Sequence, residues 1–237
     1  ETLIEDPAFD KDGIYAGAWD YCKFQGRICA LPYTASVPVL YYNKDIIAKI
    51  APDIETNPPK TWEELKAAHE KLVVRDENGN VIQTGLGLPT SGTSLQHWMQ
   101  IFCMQNGVKN LVDEANDEIL FNTPEAVEAL EYLDSIRKLG IIAWDSNKTD
   151  TDPFRMGTAA ITKCSISEFK TMNTGDLAGK IRLISPFENK QPATFSGMHF
   201  LFMSSQSKNK EAAWKLMEFM ANPESMQIWC DVTGAAP

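Results

Sequence analysis

The segment Asn57-Pro58-Pro59-Lys60-Thr61-Trp62-Glu63-Glu64-Leu65 leaves the backbone very little choice. Two proline rings fix φ and remove two amide donors, so the approach is extended and helix is forbidden there. Thr61 then offers an N-cap hydroxyl. Glu64, three residues on, can reach back to the Thr61 amide, which is the reciprocal pairing of a capping box. Leu65, Ala68 and Leu72 follow at helical period, so the spacing predicts a helix over Trp62–Val74. Upstream, Val37 to Tyr42 is rich in β-branched and aromatic residues and reads as a strand, followed by a helix at Asp45–Ile50.

The same alternation continues along the chain. Gly26–Pro32 reads as a short buried strand ending in a proline. Asp76-Glu77-Asn78-Gly79-Asn80 is a turn signal before a strand near Thr84–Leu88. Leu95–Asn106 is an expected helix, and Pro124–Lys138 is the clearest one. Thr123 can cap the latter, Pro124 suits its first position, and Gly140 can supply a left-handed residue after it. Val127, Leu130, Leu133, Ile136 and Leu139 give it an apolar stripe. Thr158–Thr162, Lys180–Ser185 and Met198–Ser204 read as strands, and Asn209–Met220 and Glu224–Cys230 as helices broken at Asn222-Pro223. Strands alternating with helices define an α/β fold class.

A chain of 237 residues, 43% hydrophobic, can bury one substantial core or two modest ones. No apolar run approaches the roughly 18–20 residues of a membrane span. The net charge of −10 excludes a basic footprint for nucleic acid and argues against unassisted binding to anionic lipid. Five cysteines (Cys22, Cys29, Cys103, Cys164, Cys230) are widely spread with no C-x-x-C, so zinc ligation is disfavoured and most read as small buried apolar side chains. His69, His97 and His199 are far apart, and neither G-x-S-x-G nor a phosphate-cradling glycine loop occurs. Ser-x-x-Lys at Ser135, Ser167 and Ser205 is a chance pattern. Asp145-Ser146-Asn147-Lys148-Thr149-Asp150 fails as a calcium loop, with Asp150 where glycine is required and Met156 where a bidentate Glu belongs. Nothing in the sequence favours a carboxylate pair for glycoside hydrolysis.

Tyr41-Tyr42-Asn43-Lys44-Asp45 together with Pro58-Pro59-Lys60-Thr61-Trp62-Glu63-Glu64-Leu65 resembles the extracellular solute-binding proteins of ABC importers, the group that contains maltose-binding protein. Phe121-Asn122-Thr123-Pro124-Glu125-Ala126-Val127 through Leu139-Gly140 is similar to the family's long helix in the second lobe. Phe154-Arg155-Met156-Gly157-Thr158-Ala159-Ala160-Ile161 is similar to its F-x-x-G-x-A-A-M strand. Ser207-Lys208-Asn209-Lys210-Glu211-Ala212-Ala213-Trp214-Lys215-Leu216 is similar to the helix of its returning crossover, and Gly234 and Pro237 to the loop after it.

The resemblance implies a two-lobed, type II periplasmic-binding-protein-like α/β fold. The chain would hold mostly the second lobe plus parts of the first, with N- and C-terminal portions of the full protein missing. Residues 1–34 would be part of lobe one and a hinge crossing at Tyr33–Ser36, residues 35–195 lobe two, and residues 196–237 the return to lobe one. It further implies the solute-binding component of an ABC importer, capturing a sugar or oligosaccharide by hinge closure and delivering it to permease subunits. No cofactor, metal or catalytic residue is implied. The location would be extracytoplasmic, periplasmic or cell-surface, with any lipid anchor lying upstream of Glu1; there an odd cysteine count leaves at least one thiol unpaired. A carbohydrate-active enzyme such as a glycoside hydrolase, or a sensory solute-binding module, is the alternative.

Ligands of open α/β sheets sit where loops leave the carboxyl ends of strands. Four loops of this chain meet that description. In Pro89–Trp98, the residues Ser91, Thr93, Ser94, Gln96 and His97 can hydrogen-bond sugar hydroxyls, and the Trp98 indole can stack on a pyranose; the other reading of this loop is a helix cap with Trp98 in the core. The second loop offers Ser165, Ser167 and Glu168, where oligosaccharide binders of the family often carry an aromatic. Gly197, Met198 and His199 align with the glycine-containing return crossing, Gly197 allowing close backbone approach and the other two either lining the pocket or packing in the core. Ser36 occupies the first crossing. Tyr41, Tyr42, Asn43 and Trp62 read as structural, and Trp19 as lobe-one core or cleft wall.

Overall fold

The computed structural model describes residues 4, 9, 11–109, 111–113, 116, 118–184 and 187–234. They divide into two compact units. Unit one takes the chain up to Val37, the short segment Ile166–Lys170, and the chain from Ser196 on; unit two is Pro38–Ser165 with Thr171–Phe195. Ser185 and Pro237, two residues that figured in the sequence reading, lie outside the described residues.

In chain order the strands and α-helices are β1 (Lys23–Phe24), β2 (Arg27–Ile28), β3 (Leu31–Ser36), β4 (Pro38–Asn43), α1 (Lys44–Ile50), α2 (Asp53–Thr56), α3 (Trp62–Leu72), β5 (Val74–Arg75), β6 (Val81–Leu86), α4 (Thr93–Gln105), β7 (Val112–Asp113) and β8 (Glu118–Ile119). Then follow α5 (Pro124–Leu139), β9 (Ala159–Ser165), α6 (Phe169–Met172), β10 (Ile181–Ile184), β11 (Gly197–Leu201), α7 (Lys210–Ala221) and α8 (Pro223–Thr233).

Unit two is built on a five-stranded mixed sheet of order β10-β4-β9-β6-β5. β4 pairs antiparallel with β10 and with β9, and β9 runs parallel to β6, with Thr84 opposite Ala159 and Leu86 opposite Ile161. Period-2 alternation buries both faces of β4. Leu40 and Tyr42 join the larger core, while Tyr41 and Val39 join a smaller one around Phe154 and Met172.

Helix α3 starts as its sequence dictates. Glu64 N–H donates to Thr61 Oγ1 at 3.2 Å and the Glu64 carboxylate accepts from the Thr61 and Lys60 amides, at 3.3 and 2.7 Å. The helix buries Trp62, Leu65, Ala68, His69 and Leu72. Trp62 stacks on Tyr132 (centroids 4.5 Å apart), and Phe102 packs against Trp62, Trp98 and Phe187. Each such side chain contributes about 1.5–3 kcal/mol by leaving water. Gln105, buried in this aromatic group, accepts from Trp62 Nε1 at 2.8 Å and donates to the carbonyls of Phe187 and Ala193 at 2.8 and 3.1 Å, so no polar atom of the cluster is stranded.

Helix α5 is capped by Thr123, whose hydroxyl accepts from Ala126 N–H. Its buried face differs from the expected stripe: Ala126, Ala129, Leu133 and Ile136 are buried and Val127 is exposed. The buried face, where α5 packs on α4 and α3, thus runs through small alanines and leaves the larger Val127 outside. Gly140 follows at φ 128, ψ 120, not the helical left-handed conformation but still a positive φ that side-chain-bearing residues rarely adopt, and a Cβ would also lie 2.8 Å from Arg75 Nη2 and 3.0 Å from Val81 Cγ2.

In unit one, β3 and β11 form an antiparallel pair, β1 and β2 a hairpin, and α7 packs on β3. Tyr33–Ser36, expected as a hinge crossing, lies within β3, and Pro32 stands second in that strand rather than ending one. The reason is its partner: the ladder shifts register between His199 and Phe200, and Pro32 sits opposite Phe200 at this irregularity, where its missing N–H costs little. Trp19 contacts Phe9, which in turn packs against the buried Trp214.

Candidate functional site

The parallel pair β6 and β9 brings two of the expected loops to one edge of the unit-two sheet, at the carboxyl ends of both strands. Ser165 closes β9, and the Pro89–Trp98 segment follows β6. Antiparallel β4 begins at the same edge, with Pro38 opposite Ser165 and Thr194 Oγ1 donating to the Pro38 carbonyl at 3.4 Å. The His97 ring lies 4.8 Å from that of Phe195. Unit two thus gathers Ser91, Thr93, Ser94, Gln96, His97 and Ser165 on one sheet edge. Ser91, Thr93 and Gln96 are exposed, and Ser94, His97 and Ser165 half-buried.

Trp98 departs from the stacking expectation. It is 1% exposed and lies parallel to Phe102, so it is core and offers no face to a solute. The helical period accounts for this: Trp98, Ile101, Phe102 and Gln105 share one face of α4, whereas Gln96 and His97 lie on another.

The end of β6 is set from beneath by His69. Its Nδ1 accepts the Leu86 amide at 3.0 Å, and its Nε2 faces the carbonyls of Ile136 and Gly140 without a hydrogen bond of ordinary geometry. Burial holds the imidazole neutral, its pKa down at about 4, with the two carbonyls pulling weakly the other way. Gly85 makes room for it, since a Cβ there would sit 2.6 Å from the His69 Cα and carbonyl oxygen.

The loop itself is clamped by Trp144–Asn147, a segment whose sequence suggests no more than a failed calcium loop. The Trp144 carbonyl accepts both the amide and the hydroxyl of Thr90 at 2.9 Å. Ser91 bridges Asp145, and Ser146 Oγ accepts from Ser94 N–H at 3.0 Å while donating to the Ser91 carbonyl at 3.1 Å. Gly92, at φ 85, is required twice over, because a Cβ would also collide with Ser146 Oγ and Asp145. A run of Ser, Thr and Gly is thereby held with its backbone fixed rather than left as a slack connection.

In unit one, Ser36 pairs with Gly197, Ala35 with Met198 and Thr34 with His199; Thr34 Oγ1 and His199 Nδ1 are hydrogen-bonded at 3.0 Å. Ser167 and Glu168 lie in a 3-10 turn whose first amide, that of Ile166, donates to the Val37 carbonyl at 3.1 Å. A Cβ on Gly197 would meet Ser36 only at 3.6 Å, an ordinary contact, so nothing in unit one itself demands glycine there. Met198 and Thr34 border a cavity of about 680 Å³, also lined by Tyr33, Asn222, Met226 and Cys230. Among the described residues no group of three or more His, Cys, Asp or Glu is arranged to hold a metal ion, and no helix is long and apolar enough to cross a membrane.

Residues 3–237 match the model of a family described as bacterial extracellular solute-binding protein. The chain is 31% identical over 230 residues to the sn-glycerol-3-phosphate-binding periplasmic protein UgpB of Shigella flexneri, covering 90% of this chain and 49% of that protein. Its match to UgpB of Salmonella typhimurium is 31% identical over 231 residues with the same coverage. The chain therefore spans about half the length of the curated relatives it matches. Among solved structures, a solute-binding protein from Thermotoga lettingae bound to α-D-tagatose superposes with TM-score 0.77 at 24% identity, over 96% of this chain and 58% of that one. The ABC substrate-binding protein Lmo0181 of Listeria monocytogenes, in complex with cycloalternan, superposes with TM-score 0.74 at 26% identity, over 95% and 56%. The fold is of the type II periplasmic-binding-protein kind, and the chain belongs to the bacterial extracellular solute-binding protein family.

Proposed function

We propose that the full protein is the extracytoplasmic solute receptor of an ABC importer, that its solute is a sugar or oligosaccharide, and that it hands this solute to membrane permease subunits after closing around it. It would work free in the periplasm or held at the cell surface by a lipid anchor. The observation that carries this reading is the family match over nearly the whole chain, together with the clamped Ser/Thr-rich loop and Ser165 on one sheet edge. Loop hydroxyls, amides, Gln96 and His97 on a fixed backbone supply donors and acceptors at low entropic cost, which suits a polyhydroxylated ligand. Solutes named for relatives, among them tagatose, maltose, mannitol and cycloalternan, are of this chemistry.

A second reading, a phosphorylated polyol, is favoured by the UgpB relatives. Against it, the candidate residues include Glu168 but no Arg or Lys, the side chains that phosphate recruits. The full-length protein titrated with neutral sugars, sugar alcohols and sn-glycerol-3-phosphate, followed by tryptophan fluorescence, tests both. Saturable binding of a neutral sugar supports the first reading, and response to the phosphate ester alone replaces it by the second. Turnover of a labelled oligosaccharide would mark an enzyme instead.

A further inference from the structure

The hairpin β1–β2 turns through Gln25 (φ 50) and Gly26 (φ 77), the positive-φ pair of a tight two-residue connection, and its register is Lys23 opposite Ile28 and Phe24 opposite Arg27. One step outward along that register stand Cys22 and Cys29. Their pairing is physical as well as formal, because Cys29 N–H donates to the Cys22 carbonyl at 2.8 Å. Facing positions of an antiparallel pair hold their Cα atoms about 4.5–5.5 Å apart, inside the roughly 4.4–6.8 Å window a disulfide spans. Cys29 is exposed, with Sγ resting 3.4 Å from the Arg27 carbonyl, a weak contact that rotation about Cα–Cβ releases; Cys22 is buried.

We propose that Cys22 and Cys29 are a modification site, oxidised to an intramolecular disulfide by a small disulfide or a disulfide-donating oxidase. The inference goes beyond solute binding and draws on the extracytoplasmic reading only for the supply of oxidant. Cys29 reacts first, because it is exposed and burial pushes the Cys22 thiol up to about 11. With glutathione disulfide as oxidant, the Cys29 thiolate attacks one sulfur, the glutathione S–S bond breaks, and one glutathione thiolate leaves. Cys22, having lost its proton to water, then attacks the Cys29 sulfur of the mixed disulfide and expels the second glutathione. Two protein thiols become one S–S bond as one glutathione disulfide becomes two thiols. Three cysteines of this chain stay reduced, Cys103 and Cys164 buried and Cys230 half-buried.

The test is incubation of the native full-length protein with glutathione disulfide, followed by acid quench, alkylation in denaturant and mass spectrometry. Within residues 1–237, alkylatable thiols should fall from five to three. Trypsin, cutting after Lys23 and Arg27, should then yield the Cys22 and Cys29 peptides as one species that separates on reduction. Cys29→Ser, altering an exposed side chain, should keep Cys22 fully alkylatable, and Cys22→Ser should stop at a glutathione adduct on Cys29. The proposal is overturned if wild type also stops at that adduct with Cys22 free, if either cysteine is found bonded to Cys103, Cys164 or Cys230, or if all five stay alkylatable.

Discussion

Acidification should destabilise unit two through His69, beginning well above the ordinary carboxylate range. The ring is fully buried and neutral, with pKa about 4 in the fold against about 6.5 when unfolded. The unfolded chain therefore binds the proton more tightly, and stability falls as pH drops through 6.5 toward 4. The whole interval is worth about 3 kcal/mol, of which about 2 kcal/mol should be gone by pH 5. The proton also arrives where it does most harm, because Nδ1 accepts the Leu86 amide at the end of β6 and cannot do so once protonated. Urea unfolding from pH 7.5 to 5, in wild type and in His69→Gln, isolates the effect, since glutamine can accept the amide but does not titrate. Asp53, Asp76, Glu128 and Asp134, all held below their ordinary values by hydrogen bonds and ion pairs, act at lower pH and equally in both proteins. Wild type should lose about 2 kcal/mol more than the variant over this range. Superimposable pH profiles would refute the argument.

Further outcomes follow from the packing. Gly85→Ala should destabilise by about 2–3 kcal/mol, because its Cβ meets helix backbone at His69 rather than a movable side chain; an unchanged unfolding midpoint would contradict the crowding. Gln105→Leu should cost about 1–3 kcal/mol for each buried group it leaves unpaired, the Trp62 indole N–H first, and calorimetry reads the loss directly. Trp98→Ala should lower stability by about 3–5 kcal/mol as a core truncation, while His97→Ala should weaken solute binding with little change in melting temperature. Gly197→Ala should leave stability within about 0.5 kcal/mol yet reduce solute affinity in the full-length protein; an affinity equal to wild type would mean the glycine faces no ligand.

Much of the fold was legible because its signals are local. The capping box at Thr61 and Glu64, the Thr123 cap with Pro124 behind it, and the break at Asn222-Pro223 each act within a few residues and appear in the structure as read. What was misread depends on partners distant in sequence. Pro32 falls inside a strand rather than ending one because β11 returns to pair with β3, and the buried face of α5 runs through Ala126 and Ala129 where the helix packs on α4 and α3. Of the candidate site, the residue types in Pro89–Trp98 were visible. Their fixation by Thr90–Trp144 and Ser94–Ser146 hydrogen bonds was not, since nothing in either segment names the other. Helical phase alone could have assigned Trp98 to the core, through its register with Ile101, Phe102 and Gln105.

The antiparallel pairing of Ser36 with Gly197 joins positions about 160 residues apart. Bringing such distant ends together in a disordered chain costs about 4–5 kcal/mol of closure entropy, comparable with all that a short two-stranded ladder recovers. Unit two removes that cost, because Thr194 already reaches Pro38 across the root of its own sheet. The expected order of assembly is that the inserted unit condenses first, so lesions in the His69 or Gln105 neighbourhoods should slow the maturation of a ladder they never touch.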